Sequence, residues 1–255
     1  MLLAVDTGNT HTVLGLFEGG RLRADWRVAT RKDSTADELG ALFQALFAGV
    51  NLAPSAVDGV IVSSVVPDWN GVLAATAEKT FGCTALFVAP GVKTGLPILY
   101  ENPHEVGADR IVNAVAAVHR YGAPVLVLDF GTATTFDVVS PKGEYLGGAI
   151  APGLGISAEA LFVRAARLTR VDVRRPDRII GRTTEESVQA GLFHGYVSLV
   201  EGVVKRLRAE LGVDAPVVAT GGLAPVFRAE LTFLTAVEPN LTLEGLHLIW
   251  EKNRR

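Results

Sequence analysis

A short apolar run that ends in Asp-x-Gly and turns straight back occurs twice in this chain. Leu2-Leu-Ala-Val-Asp6-Thr-Gly8 precedes the run Thr12–Phe17, and Val125-Leu-Val-Leu-Asp129-Phe-Gly131 precedes Thr134–Val139. Both copies continue in the same order. Gly19-Gly20 forms a hairpin turn before Leu22–Val28, and Lys142-Gly143 a turn before Tyr145–Ile150. This is one duplication of a strand-hairpin-helix unit, not a solenoid period. Strands interleaved with helices in both halves predict an α/β fold of two related lobes, each a mixed sheet flanked by helices, with a central cleft.

The remaining elements follow from periodicity and punctuation. Ser34-Thr35 offers an N-cap for a helix over Ala36–Phe47, with apolar side chains at Leu39, Leu42, Phe43, Leu46 and Phe47. Val60–Val62 and Ala85–Val88 read as buried strands, and Trp69–Phe81 as a helix. Residues Ala89–Asn102 hold Pro90, Gly91, Gly95 and Pro97 and read as loop. A helix starts at Gly107 or Ala108 and ends at Tyr121, before Gly122 and Pro124. Helices near Ile156–Ala166 and Thr184–Leu211, the strand Val217–Ala219 and a terminal helix near Leu243–Glu251 complete the reading. The division falls near residue 118. Residues 1–118 form an N-terminal lobe, and 119–255 a C-terminal lobe that includes the turn Gly221-Gly222.

Composition narrows the function classes. The 255 residues are 49% hydrophobic, enough for a large core, and the net charge of -3 gives no reason to expect nucleic acid or an anionic membrane as partner. The Arg-rich stretch from Arg164 to Arg178 is interleaved with Val, Leu, Asp and Pro and reads as a solvated segment. Cys83 is the single cysteine, which excludes an internal disulfide and fits a reducing compartment. The opening apolar run is too short for a signal peptide, and no stretch reaches the ~18 apolar residues of a membrane span. A cytoplasmic location is expected.

The repeated turn has a chemical use. Glycine lets backbone approach a ligand closely, and turn N–H groups can point at phosphate oxygens. Threonine hydroxyls add donors, and an Asp at the strand end can hold a metal ion or its bound water. The first set is Asp6, Gly8, Asn9 and Thr10; the second is Asp129, Gly131, Thr132, Thr134 and Thr135. One Asp-x-Gly after a strand is most often only a turn, but two in register point to a clamped triphosphate. With the late strand and turn Val218-Ala-Thr-Gly-Gly222, the pattern resembles the superfamily of actin-like ATPases, sugar kinases and acetate kinase, whose lobes are ribonuclease H-like. There is no P-loop and no protein-kinase signature.

Between the copies, Tyr100-Glu-Asn-Pro-His-Glu-Val-Gly-Ala-Asp-Arg110 gathers polar and charged residues before a helix. Read locally, this is either an ordinary capped helix start or an acceptor loop. In the second reading Asp109 takes the proton of an attacking hydroxyl and Arg110 binds a carboxylate or phosphate. Orientation can supply ~7–11 kcal/mol, against ~3–5 kcal/mol from a general base.

Asp6-Thr-Gly-Asn-Thr10, Ser63-Ser-Val-Val-Pro67, Tyr100-Glu-Asn-Pro with Gly107-Ala-Asp-Arg110, Asp129-Phe-Gly-Thr-Ala-Thr-Thr135 and Gly147-Gly-Ala-Ile-Ala-Pro-Gly153 together resemble type III pantothenate kinase. The resemblance runs from residue 2 to about 223. It implies ATP-dependent phosphorylation of pantothenate on its primary hydroxyl, the first step of coenzyme A synthesis. It also implies Mg²⁺, a monovalent cation (K⁺ or NH₄⁺) and a homodimer. Carried over, Asp6, Thr7, Gly8, Asn9, Thr10, His11, Thr12 and Val13 contact ATP, as does Thr132. By its place at a strand end, Asp6 is also the candidate to hold Mg²⁺, directly or through water. Asp109 is the proton acceptor. Tyr100, Gly107, Ala108, Asp109, Arg110 and Thr184 hold pantothenate, and Asp129 ligates the monovalent cation. Thr7 stands where the family usually carries Ile or Val, so its side chain should point away from the phosphates.

Two other classes compete with this reading. One is a nucleotide-binding regulator of the same fold that has lost the chemistry, against which the intact Asp109-Arg110 pair speaks. The other is a kinase of a different small hydroxylated or carboxylated metabolite. His104 reads as a polar loop residue. Asp137 reads equally as a support to the site or as a turn-facing polar residue. Tyr196 reads as a core or dimer contact.

Overall fold

The computed structural model describes residues 1–165 and 171–254. It divides into two compact units, Met1–Ala116 with Asn240–Arg255, and Ala117–Pro239. Part of the Arg-rich stretch, and the last residue expected in the helix before it, lie outside the described residues.

In the first unit, β1 (Leu2–Thr7), β2 (His11–Glu18) and β3 (Arg21–Ala29) form an antiparallel meander. Helix α1 (Ala36–Ala48) follows. Its N-cap is Thr35, whose hydroxyl accepts from the Glu38 N–H while the Glu38 carboxylate accepts from the Thr35 N–H, a reciprocal capping box. Strand β4 (Gly59–Ser64) pairs parallel with β1, and β5 (Ala85–Phe87) with β4, giving the order β3-β2-β1-β4-β5. Between them the helical segment expected over Trp69–Phe81 changes pitch. A 3₁₀ turn (Pro67–Trp69) leads into α2 (Asn70–Thr76) and then a π-helical turn (Ala77–Phe81), which ends on left-handed Gly82. Leu3, Val5, Leu14, Leu16, Val60 and Val62 share one sheet face, in a core with Leu39, Phe43, Phe47, Trp69 and Leu73 of the helical segments. Helix α3 (Ala108–Tyr121) begins in this unit and crosses into the second.

The second unit repeats this plan. β6 (Val125–Phe130), β7 (Ala133–Val139) and β8 (Tyr145–Pro152) are again an antiparallel meander, followed by α4 (Leu154–Arg164) and α5 (Thr184–Leu211). Strand β9 (Val217–Thr220) pairs parallel with β6 and leads into the short helix α6 (Ala224–Phe227). The two-residue β10 (Ala236–Val237) pairs parallel with β9. The order β10-β9-β6-β7-β8 is that of the first sheet, strand for strand. The duplication read from the hairpins therefore extends to a fifth strand too short for any periodic signal. Phe130, Phe136, Phe193, Tyr196, Val200 and Phe227 lie in one core, so Tyr196 is a core residue.

The end of the chain departs from the sequence division. Helix α7 (Leu241–Asn253) belongs to the first unit, although it follows the whole of the second half. It packs on β1, β2 and β4. The Thr242 hydroxyl donates to Asn113 Oδ1 of α3 at 2.7 Å, and His247 stacks on Phe17. The lobe boundary near residue 118 thus describes one crossing, whereas the chain makes two.

Candidate active site

The Asp6 hairpin is tighter than the sequence suggests. Both neighbours of β1 stay paired with it through its last residue, Thr7 opposite Thr12 on one side and Ser64 on the other. The turn is thus confined to Gly8–Thr10. The Gly8 N–H donates to His11 O at 3.0 Å, and the Thr30 hydroxyl and N–H bond Gly8 O and Thr10 O at 2.8 and 3.0 Å. Asn9, Thr10 and His11 are exposed at the tip. Lys32 Nζ donates to Asn9 Oδ1 at 2.9 Å, which brings a cation to the turn. Sequence reasoning missed Lys32 because only the pairing of β3 with β2 carries it there.

Strand alternation sorts the residues between faces. Asp6 is half-buried, with Val13 beside it. Thr7 and Thr12 point the other way, toward the core, at 1% and 0% exposure. The Thr12 hydroxyl meets that of Thr30 at 2.9 Å. Any contact of Thr7 or Thr12 with a ligand is therefore confined to their backbone, which narrows the set expected to bind ATP. Thr7 Oγ1 is buried with no hydrogen-bond partner among the described residues.

The loop that carries Tyr100 ends in a short 3₁₀ turn, Pro103–Glu105, capped by Asn102. Tyr100 is half-buried, and His104 is exposed, with its N–H on Asn102 Oδ1. Gly107 O accepts from the Arg110 and Ile111 N–H groups at 3.2 and 3.4 Å and starts α3. The Asp109 carboxylate folds back onto that helix start and accepts from the Arg110 N–H at 2.8 Å. Burial raises the Asp109 pKa above its ordinary value, against the Arg110 N–H bond and the Arg110 charge, which lower it. Arg110 is 7% exposed.

One hydrogen bond and one close approach, both at Val65, join this loop to the hairpin within the first unit. Val65 N donates to Thr7 O at 3.0 Å. A Cβ built on Gly107 would lie 3.7 Å from Val65 Cγ1 and only 2.5 Å from Asp109 Oδ1. The start of α3 thus approaches the end of β4 at the carboxyl ends of the parallel strands β1 and β4, where open α/β sheets bind ligands. Ala108 and Arg110 flank Asp109 on the same helical turn.

The Asp129 hairpin has different surroundings. Asp129 is half-buried, opposite Thr135 on one side and Thr220 on the other. Gly221, at φ +91°, lies flush against it: an added Cβ would stand 2.5 Å from Asp129 Oδ1 and 2.6 Å from Phe130 N. Thr132 is exposed, and its carbonyl accepts from Gly153 N at 3.1 Å. Thr134 is buried, with its hydroxyl on that of Tyr196. Asp137 is fully buried and accepts from the Thr135 and Tyr145 hydroxyls at 3.0 and 2.7 Å. That removes the turn-facing reading and puts Asp137 in a hydroxyl network beside Asp129. Thr184 is exposed at the first position of α5, after Thr183, whose hydroxyl caps Glu186 N at 3.1 Å.

The comparisons agree with this architecture. The sequence model of type III pantothenate kinase matches residues 2–206. A type III pantothenate kinase from Myxococcus xanthus is 56% identical over 253 residues, covering 99% of each chain. Among solved structures, a putative Baf family transcriptional activator from Campylobacter jejuni superposes with a TM-score of 0.63 at 17% identity, covering 99% of this chain and 98% of that one. A putative N-acetylglucosamine kinase from Porphyromonas gingivalis gives 0.53 at 16%, with both chains fully covered. At such identities the structural likeness speaks for the fold alone, whereas the full-length sequence match speaks for descent: the chain belongs to the type III pantothenate kinase family.

Proposed function

We propose that this chain transfers the γ-phosphoryl group of ATP to the primary hydroxyl of pantothenate, giving 4'-phosphopantothenate, the first step of coenzyme A biosynthesis. The observation that carries the reading is Asp109, a carboxylate with a raised pKa at a helix start, joined through Gly107 and Val65 to the end of the Asp6 strand.

In this reading the Asp6 hairpin binds nucleotide phosphates through the exposed tip of Gly8–Thr10, with Lys32 adding positive charge. Tyr100 and Arg110 orient pantothenate, Arg110 by pairing with its carboxylate. Asp109 aims the hydroxyl and accepts its proton at a carboxylate oxygen as the oxygen attacks. Its raised pKa makes it a stronger base than an exposed Asp. Phosphoryl transfer has a loose transition state, so aim contributes as much as basicity. Asp6 fits Mg²⁺, which takes one or two carboxylates and completes its shell with water and substrate phosphates. Bound there, Mg²⁺ would neutralise phosphate charge. Asp129, backed by Gly221 and Thr220, is assigned the monovalent cation, Thr132 a contact with ATP, and Thr184 a contact with pantothenate.

A homodimer is part of the proposal. Leu146 and Ile150 on edge strand β8, and Ile156 and Val163 on α4, are exposed apolar side chains of the second unit that a second copy would cover. The proposed location is the cytoplasm. No helix among the described residues is long and apolar enough to cross a membrane.

The test is a coupled ADP-release assay with pantothenate and a panel of other hydroxylated acceptors, in K⁺ and Mg²⁺. Pantothenate should stimulate ADP release far above the panel. Equal rates with and without it would remove the proposal.

A further inference from the structure

Buried side-chain oxygen or nitrogen atoms without a hydrogen-bond partner among the described residues include those of Thr7, Ser63, Trp69 and Asn70. Ser63 differs from the others in where it stands. It is fully buried, and it is the residue of β4 directly opposite Asp6 of β1. Paired residues of adjacent strands share a face and lie about 5 Å apart. The Ser63 hydroxyl therefore lies on the Asp6 side of the sheet, one strand away. Thr7 sits on the opposite face, at the end of the apolar core.

The second unit provides an internal comparison. Its strands match those of the first one for one, so β6 corresponds to β1 and β9 to β4. There the residue opposite Asp129 is Thr220, 2% exposed. Each half of the duplication thus sets a buried hydroxyl residue against the Asp that ends its central strand. Both hydroxyls follow an otherwise apolar run, Val60-Ile61-Val62 and Val217-Val218-Ala219. A buried hydroxyl without a partner costs about 1–3 kcal/mol. An apolar residue at position 63 would continue its run without that cost.

We propose that Ser63 is a positioning residue for Asp6. Its hydroxyl donates to the Asp6 carboxylate when that carboxylate turns to hold a metal ion, or a metal-bound water, against nucleotide phosphates. The bond fixes one carboxylate oxygen and leaves the other for the metal. Partners behind a metal-binding carboxylate commonly change metal affinity by about 10–100-fold when removed. The inference rests on the proposed role of Asp6 in nucleotide binding but not on the identity of the acceptor.

The experiment measures Mn²⁺ binding in the presence of ADP, by electron paramagnetic resonance, for the wild-type chain and for Ser63→Ala, Ser63→Thr, Asp6→Asn and the Ser63→Ala/Asp6→Asn pair. Thermal unfolding of each ligand-free protein in a chelator runs alongside. Ser63→Ala should weaken Mn²⁺ binding about 10-fold, while its unfolding temperature stays level or rises. Ser63→Thr should keep most of the affinity, and Ser63→Ala should add nothing once Asp6 is Asn. Unchanged Mn²⁺ affinity in Ser63→Ala would overturn the proposal. So would an equal further loss in the Asp6→Asn background, or an affinity loss explained by a lower unfolding temperature. A wild-type chain that binds Mn²⁺ and ADP but ignores pantothenate would remove the acceptor assignment alone, and the Ser63 variants would still decide this one.

Discussion

Gly107 and Asp109 are packed so closely that any side chain at 107 would displace the carboxylate. A Cβ there would stand 2.5 Å from Asp109 Oδ1. The bare Cα of Gly107 makes room for the carboxylate of the proposed base. Gly107→Ala should lower kcat by about 10-fold or more, because misplacing an aligned group is costly. The KM for ATP should stay close to wild type. Steady-state kinetics with each substrate varied in turn would check the split, and an unchanged kcat would show that Asp109 tolerates the shift.

Asp109 itself should trade stability for turnover. Its folded pKa is raised, chiefly by burial. The fold therefore favours the neutral acid. That contribution to stability is complete below the ordinary Asp range and is lost as pH rises through the folded pKa. At neutral pH the ionised Asp109 is a net cost. Asp109→Asn should lower turnover by ~10²-fold or more. It should also raise the unfolding temperature at pH 7, with the gain shrinking as pH falls through the carboxylate range. Melting curves at several pH values test the sign; a variant less stable than wild type at pH 7 would contradict it.

Thr7 is a second unmet polar group, and its hydroxyl has no ligand to meet. It is buried on the core face with no partner among the described residues. Thr7→Val keeps the shape and removes the hydroxyl, so it should stabilise the chain by about 1 kcal/mol and leave kinetics unchanged. Denaturant unfolding with wild type as reference would measure it. A destabilised variant would point to a partner such as an internal water.

The cation assignment gives a salt-specific prediction. Activity should need K⁺ or NH₄⁺ and fall steeply in Na⁺ alone. Asp129→Asn should abolish the difference between the salts. Gly221→Ala should do the same, since its Cβ would meet Asp129 Oδ1 at 2.5 Å and its φ of +91° suits only glycine well. Equal rates of the wild type in K⁺ and Na⁺ would remove the cation from Asp129.

What the sequence by itself determined is local. The two Asp-x-Gly hairpins, the capping box at Thr35 and Glu38, and the start of α3 beside Gly107 are written in residues close together, where turn chemistry and periodicity act. The likeness of the two halves was legible for the same reason. Pairing and packing between distant segments decided the rest. Register alone places Asp6 and Ser63 on one face and turns Thr7 and Thr12 into the core. Two-residue β10 exists only because β9 offers it an edge. The return of α7 to the first unit, against β1, β2 and β4, depends on contacts between residues more than 200 positions apart, such as Phe17 with His247. The sequence named Asp109 as a base, but its raised pKa comes from the tertiary structure, because burial, which no spacing of residues encodes, shifts its affinity for a proton.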